Sequence, residues 1–276
     1  MKDNKAAWPW VAAGVVLLGG AAWWLFRDEL QSPMPGASPF VVQTPASESR
    51  IEPAAAQPAT QPVQAPQHPL QRDASGDAGL PALGDSDAAA RQALAALFAG
   101  DVLALLRQDH VIQRLVTHID NLTQPVMPSS ALALRPLPGS LQIEGDAVSG
   151  GVHIAAANAA RHAQWVQAFT AVDADAMVAA YLRLYPLVQE AWRETGHPDG
   201  RFNDRLVAVI DHLLQAPEPA RPLEVELDER GKYRFVDPGL QSRSVGQKLL
   251  LRLDAEQSRA VRQQLRAIRQ ALTRGR

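Results

Sequence analysis

Seven histidines and a scatter of carboxylates are the residues of this 276-residue chain that could do acid–base or metal chemistry, and their spacing supports neither. His110 and His118 are eight residues apart in one helical stretch. At 1.5 Å per residue that is about 12 Å along a helix, too far to share one metal. They read as surface or capping histidines, and His153, His162, His197 and His212 are dispersed. Glu144 and Asp146 flank Gly145, a pattern that reads as a solvated turn rather than an acid–base pair. The absence of cysteine excludes disulfides, thiolate metal sites and a cysteine nucleophile. No nucleophile elbow, phosphate-binding glycine loop or His-Glu-x-x-His pair occurs. The sequence therefore assigns no catalytic, metal or cofactor residue, and no cofactor is expected.

Two features could bind a partner. Residues 85–242 hold 13 basic and 20 acidic residues, whereas 243–276 hold 9 basic and 2 acidic, so charge is segregated toward the C-terminus. There Arg259, Arg262, Arg266 and Arg269 step by three and four, a guanidinium stripe beside the apolar Val261, Leu265, Ile268 and Leu272. Such a stripe suits docking to an anion as well as a solvated face. The second feature is Tyr185, Gln189 and Trp192, one helical turn apart with His197 nearby, which is either core or one wall of a groove.

The elements that must position these groups are mostly helical. Apolar residues at spacings of three and four predict helices through Leu94–Phe98, Val111–Leu122, Asn158–Phe169, Phe202–Leu214 and Val261–Leu272. Asp85 and Ser86 can cap the first of these. Asp173 opens another, carrying Met177, Tyr181 and Leu184, in which Pro186 marks a kink or a new start. Leu223, Val225 and Leu227 alternate with acidic residues before a turn at Arg230-Gly231, and Tyr233 and Phe235 follow, which predicts one small β-hairpin.

Ahead of this domain, Trp8–Phe26 is 19 residues without a charge. As a helix it would span about 28 Å, close to a bilayer core, with tryptophans at both ends. Lys2 and Lys5 before it favour an inward N-terminus. Residues 31–81 then carry ten prolines with Ala, Gln, Ser and Thr, the composition of a disordered linker. The expected organisation is a cytoplasmic N-terminus (1–7), a transmembrane helix (8–26), a Pro/Ala/Gln-rich disordered linker (27–84) and an α-helical extracytoplasmic domain (85–276). The expected fold class is mainly α with one small hairpin. The expected location is the bacterial inner membrane, single-pass, with the domain in the periplasm.

Leu184-Tyr185-Pro186-Leu187-Val188-Gln189-Glu190-Ala191-Trp192, Gly196, Phe202, Phe235-Val236-Asp237-Pro238 and Gln247-Lys248-Leu249-Leu250-Leu251-Arg252 together resemble the bacterial domain-of-unknown-function family three-zero-one-four, over about residues 85 to 273. The resemblance implies a membrane-anchored layout and no assigned activity. Asp254-Ala255 stands where the family pattern has Gly-Pro, and Gln241 where it commonly has Glu.

The functional expectation is a membrane-tethered envelope protein acting as a non-enzymatic interaction or scaffold module. The alternative is an envelope enzyme such as a cell-wall hydrolase. The expected partners are the membrane and another envelope protein or anionic envelope component. Nucleic acid is disfavoured by a net charge of -2.

Overall fold

Helix boundaries follow from side chains that can cap a first turn. Asp173, Ser244 and Asp254 each accept the backbone N–H of the third residue on, from Ala176 at 2.7 Å, Gln247 at 3.2 Å and Gln257 at 2.8 Å. The computed structural model describes residues 65–70, 79–135, 140–146, 151–229 and 231–274. Within them the helices are α1 (Asp87–Ala95), α2 (Gly100–Leu103), α3 (Val111–Asn121), α4 (Asn158–Ala171), α5 (Ala174–Glu194), α6 (Phe202–Leu214), α7 (Pro238–Gln241), α8 (Val245–Arg252) and α9 (Ala255–Thr273). The strands are β1 (Ile143–Asp146), β2 (Gly151–Ile154), β3 (Glu224–Leu227) and β4 (Tyr233–Phe235). Pro186 neither ends nor divides α5, which runs through it. Ser86 uses its hydroxyl on Leu83 O rather than on the first turn of α1.

The apolar faces of α1, α3, α5, α6 and α9 meet in one core that includes Leu94, Val116, Leu184, Ile210 and Leu265. Helix α8 is buried at every position, and its polar residues survive there because each has a partner. Gln247 donates to His212 O at 2.9 Å, and Arg252 to Tyr233 O at 3.1 Å. Leu249 and Leu250 join the helical core, whereas Leu251 joins a second cluster with Ile154, Leu223, Val225, Phe235 and Leu240 beneath the sheet. Helix α8 is thus the layer between helices and sheet.

A small cavity of about 60 Å3 remains in the helical core, and Tyr181 lines it among Ile119, Met177, Leu184 and Leu206. Its hydroxyl is buried with no hydrogen-bond partner among the described residues. A buried unpaired hydroxyl costs about 1–3 kcal/mol. Tyr181→Phe is therefore expected to raise stability by about 1 kcal/mol in urea denaturation; a loss of that size would show that the hydroxyl is bonded.

The expected single hairpin is corrected. The sheet has four strands in the order β1-β2-β3-β4, all antiparallel, with Val152 opposite Val225 and Val225 opposite Phe235. Glu144 and Asp146 belong to edge strand β1 rather than to a turn, paired with His153 and Gly151. The strand carries only Ile143 as a large apolar side chain, so ladder bonds hold it and no alternating pattern announces it.

The membrane expectations are also corrected. Among the described residues no helix is long and apolar enough to cross a membrane. The longest, α5 and α9, carry Arg183 and Glu190, and Arg262 and Arg266, within their spans. The fold class is a mainly α-helical domain with a four-stranded sheet. A transmembrane helix or signal anchor, a single-pass topology with a periplasmic domain, and the membrane as partner are not sustained. Trp8–Phe26, residues 27–64 and 71–78, and Arg230 lie outside the described residues.

Candidate anion-binding cleft

The junction of α8 and α9 builds a cleft against the sheet. Leu253 and Asp254 are extended, with ψ of 156° and 172°, so the chain turns sharply between the two helices. This turn sets Arg252 and Asp254 facing the end of β2 and the start of α4. The inner hollow has a volume of about 320 Å3 and is lined by Ala155, Asn158, Arg221, Arg252 and Asp254, with Glu144 also on its wall. An outer hollow of about 260 Å3 is lined by Glu218, Arg221, Ser258 and Arg259. Arg221 lines both.

Arg252 is 3% exposed, and its guanidinium lies 5.4 Å from the centroid of the Phe235 ring. It donates to Tyr233 O at 3.1 Å and lines the inner hollow. Arg221 donates to Leu251 O at 3.0 Å, which fixes it across the α8 terminus. Desolvation lowers the Arg221 pKa, Asp254 opposes the shift and Arg262 adds to it. Asn158 is spent structurally: it accepts from Gln142 N and donates to Gln142 O and Ala155 O.

The cleft also carries carboxylates, and two are committed. Asp254 caps α9, and Glu218 lies 3.5 Å from Arg262. Glu144 is exposed on the edge strand. Near Arg252 and Asp254 sits His162, 1% exposed. Its pKa is pushed down to about 4, first by desolvation and then by Arg161, so the ring is neutral near pH 7.

The arginine stripe is divided between the two sides of α9. Arg262 is buried and donates to Leu214 O and Pro217 O at 3.3 and 3.2 Å, closing the C-terminal end of α6. Arg269 pairs with Asp211 on α6. Arg259 and Arg266 are exposed, and Arg259 alone of the four reaches the cleft.

Tyr185, Gln189 and Trp192 are elsewhere, at the α5–α6 turn. The Gln189 side-chain oxygen accepts from the Tyr185 hydroxyl at 2.8 Å and from Phe202 N at 3.0 Å, while its amide donates to Gly200 O at 2.7 Å. Trp192 stacks on His197 with centroids 3.7 Å apart. Gln189 closes the turn, so Gln189→Ala is expected to cost about 2 kcal/mol through the unpaired groups it leaves. Chemical denaturation measures this, and a change below about 0.5 kcal/mol would contradict it.

Arg221 and Arg252 were not singled out from sequence. The signal for Arg252 is that it and Lys248 are charged residues flanking three consecutive leucines, since a buried charge needs a reason. Arg221 sits between Pro219 and Pro222 with no pattern around it. Among the described residues, no cluster of three or more His, Cys, Asp or Glu could hold a metal ion.

The fold and cleft define a helical domain with a small antiparallel sheet and a hollow lined by two arginines. The chain belongs to the family described as protein of unknown function (DUF3014), whose sequence model matches residues 111–269. That range includes α3 through most of α9, and so every residue of the cleft. No curated protein and no solved structure matches the chain.

Proposed function

We propose that the domain is a non-catalytic binding module that takes a small molecule through an anionic group, carboxylate or phosphate, in the cleft at the α8–α9 junction. The observation that carries this is Arg252: a guanidinium 3% exposed that lines a hollow of about 320 Å3 together with Arg221. Burying such a charge costs several kcal/mol, and a well-packed apolar residue in its place is often neutral or stabilising. A planar donor fork suits carboxylate and phosphate geometry. The hollow is at the small end of ligand-site volumes. Of the stripe, Arg259 contributes at the outer hollow, whereas Arg262 and Arg269 act between helices.

The test separates binding from folding. Arg252→Met is expected to keep the melting temperature within a few degrees, or raise it, while abolishing stabilisation by phosphate or citrate. For the unaltered chain, ligand at about 100 times its dissociation constant adds about 2.7 kcal/mol, a rise on the order of 5 °C. A collapse of Arg252→Met together with a lack of ligand shift in the unaltered chain would make Arg252 a structural residue only.

A further inference from the structure

The inner hollow of the cleft is lined by both signs of charge, since Arg221 and Arg252 share it with Glu144 and Asp254. Neither carboxylate is paired with either arginine. Among the described residues the Glu144 side chain makes no hydrogen bond or ion pair, and Asp254 uses only Oδ1, on Gln257 N at 2.8 Å. Arg221 donates to Leu251 O through Nη1 alone, which leaves Nη2 and Nε without a partner among the described residues. Each group is held back by its own element. Asp254 is fixed as the cap of α9, Arg221 lies across the α8 terminus, and Glu144 rides β1 opposite His153. Gly145 has a φ of 98°, and a Cβ there would run into Gly151 O, so glycine is what lets β1 lie this close to β2 beside the hollow.

Opposite charges that line one space without meeting define what would complete it. A plain anion gains from Arg221 and Arg252 but is repelled by Glu144 and Asp254. A ligand with a carboxylate at one end and an ammonium at the other satisfies both pairs. Its carboxylate accepts charge-assisted bonds from the guanidiniums, and its ammonium has three donors to offer to Glu144 and to Asp254 Oδ2. The small side chains of Ala155, Ala156 and Ala159 line the same hollow and leave apolar room for the carbon atoms between the two ends. The same carboxylates then act as a specificity device, because they penalise a ligand that brings negative charge only.

We propose that the inner hollow is a site for a zwitterion, a free amino acid or a short peptide, held by its carboxylate on Arg221 and Arg252 and by its ammonium on Glu144 and Asp254. This rests on the anion-binding reading of the cleft and adds the second pole to it. Phosphate or citrate occupies only the arginine half.

Isothermal titration of the full chain tests this with alanine against N-acetylalanine, alanyl-alanine against N-acetyl-alanyl-alanine, and inorganic phosphate. Acetylation removes the ammonium and keeps the carboxylate. At least one of the two amines is expected to bind about 5- to 10-fold tighter than its acetylated form, and which one does so separates an amino acid from a peptide. Glu144→Gln should abolish that preference and should tighten phosphate binding, since it removes a repelling charge and leaves both arginines in place. Equal binding of the amines and their acetylated forms, with phosphate still bound, would overturn the zwitterion site and leave the anion site standing. A preference that survives Glu144→Gln would overturn it too. No binding of any of the five compounds would overturn both readings.

Discussion

Gly246→Ala is expected to destabilise the domain by about 2–3 kcal/mol and lower its melting temperature by roughly 5–10 °C. Helix propensity alone predicts the opposite sign, since Ala is favoured over Gly in a helix by about 1 kcal/mol. The start of α8 is docked on the end of α3 by Gly246 N to Leu122 O at 2.9 Å and Val245 N to Gln124 O at 2.8 Å. A Cβ at Gly246 would lie 2.9 Å from Leu122 O and 3.2 Å from Leu122 Cβ, and would press on Leu213. The carbonyl is backbone and cannot swing aside, so α8 must shift. Since α8 also carries Arg252, the substitution should weaken anion binding as well. Thermal melts check the first effect, and an unchanged or higher melting temperature would show that α8 does not approach α3 this closely.

The second large effect is on acid stability. His118 and His162 are each 1% exposed, and burial pushes both pKa values down to about 4. The His118 Nδ1 accepts Ala133 N at 3.3 Å, which suits a neutral ring. Their ordinary value is 6.5, so between pH 6.5 and 4 the unfolded chain binds more protons than the folded one. Stability is therefore full above pH 6.5 and is lost as pH falls toward 4. Each histidine contributes up to roughly 3 kcal/mol over that window. Urea denaturation at pH 4.5 and 7 should differ by several kcal/mol, and His162→Leu should remove part of the difference. Equal stability at the two pH values would mean that these rings are hydrated or paired in the fold.

The helical core was legible because its apolar residues recur at helical spacing, as in Val111–Leu122 and Phe202–Leu214, where α3 and α6 form. The β3–β4 hairpin was legible because Val225, Tyr233 and Phe235 supply a buried alternating face. Strands β1 and β2 were not. Ile143-Glu144-Gly145-Asp146 has the composition of a turn, and only pairing to Gly151–Ile154 and onward to β3 makes it a strand. The arginine stripe was visible as a spacing, but not its division: Arg262 and Arg269 turn inward because Leu214 O, Pro217 O and Asp211 lie there, and only the packing of α6 on α9 reveals that. His118, a surface or capping residue by its spacing, is buried because the chain around Ala133 folds back over α3. Gln241, a departure from the family pattern, accepts Phe235 N at 3.0 Å, an acceptor role that Glu could equally fill. The cleft itself joins Arg221 and Arg252 from segments 31 residues apart, so no local pattern carries it.

Isothermal titration of the full chain with inorganic phosphate, and separately with citrate, against the Arg221→Ala and Arg252→Met variants tests the proposed function most directly. Saturable binding that is lost or weakened at least about 10-fold in both variants, with their folds retained, is the predicted result. Absence of heat for both anions in the unaltered chain, or binding unaffected by either substitution, would contradict it.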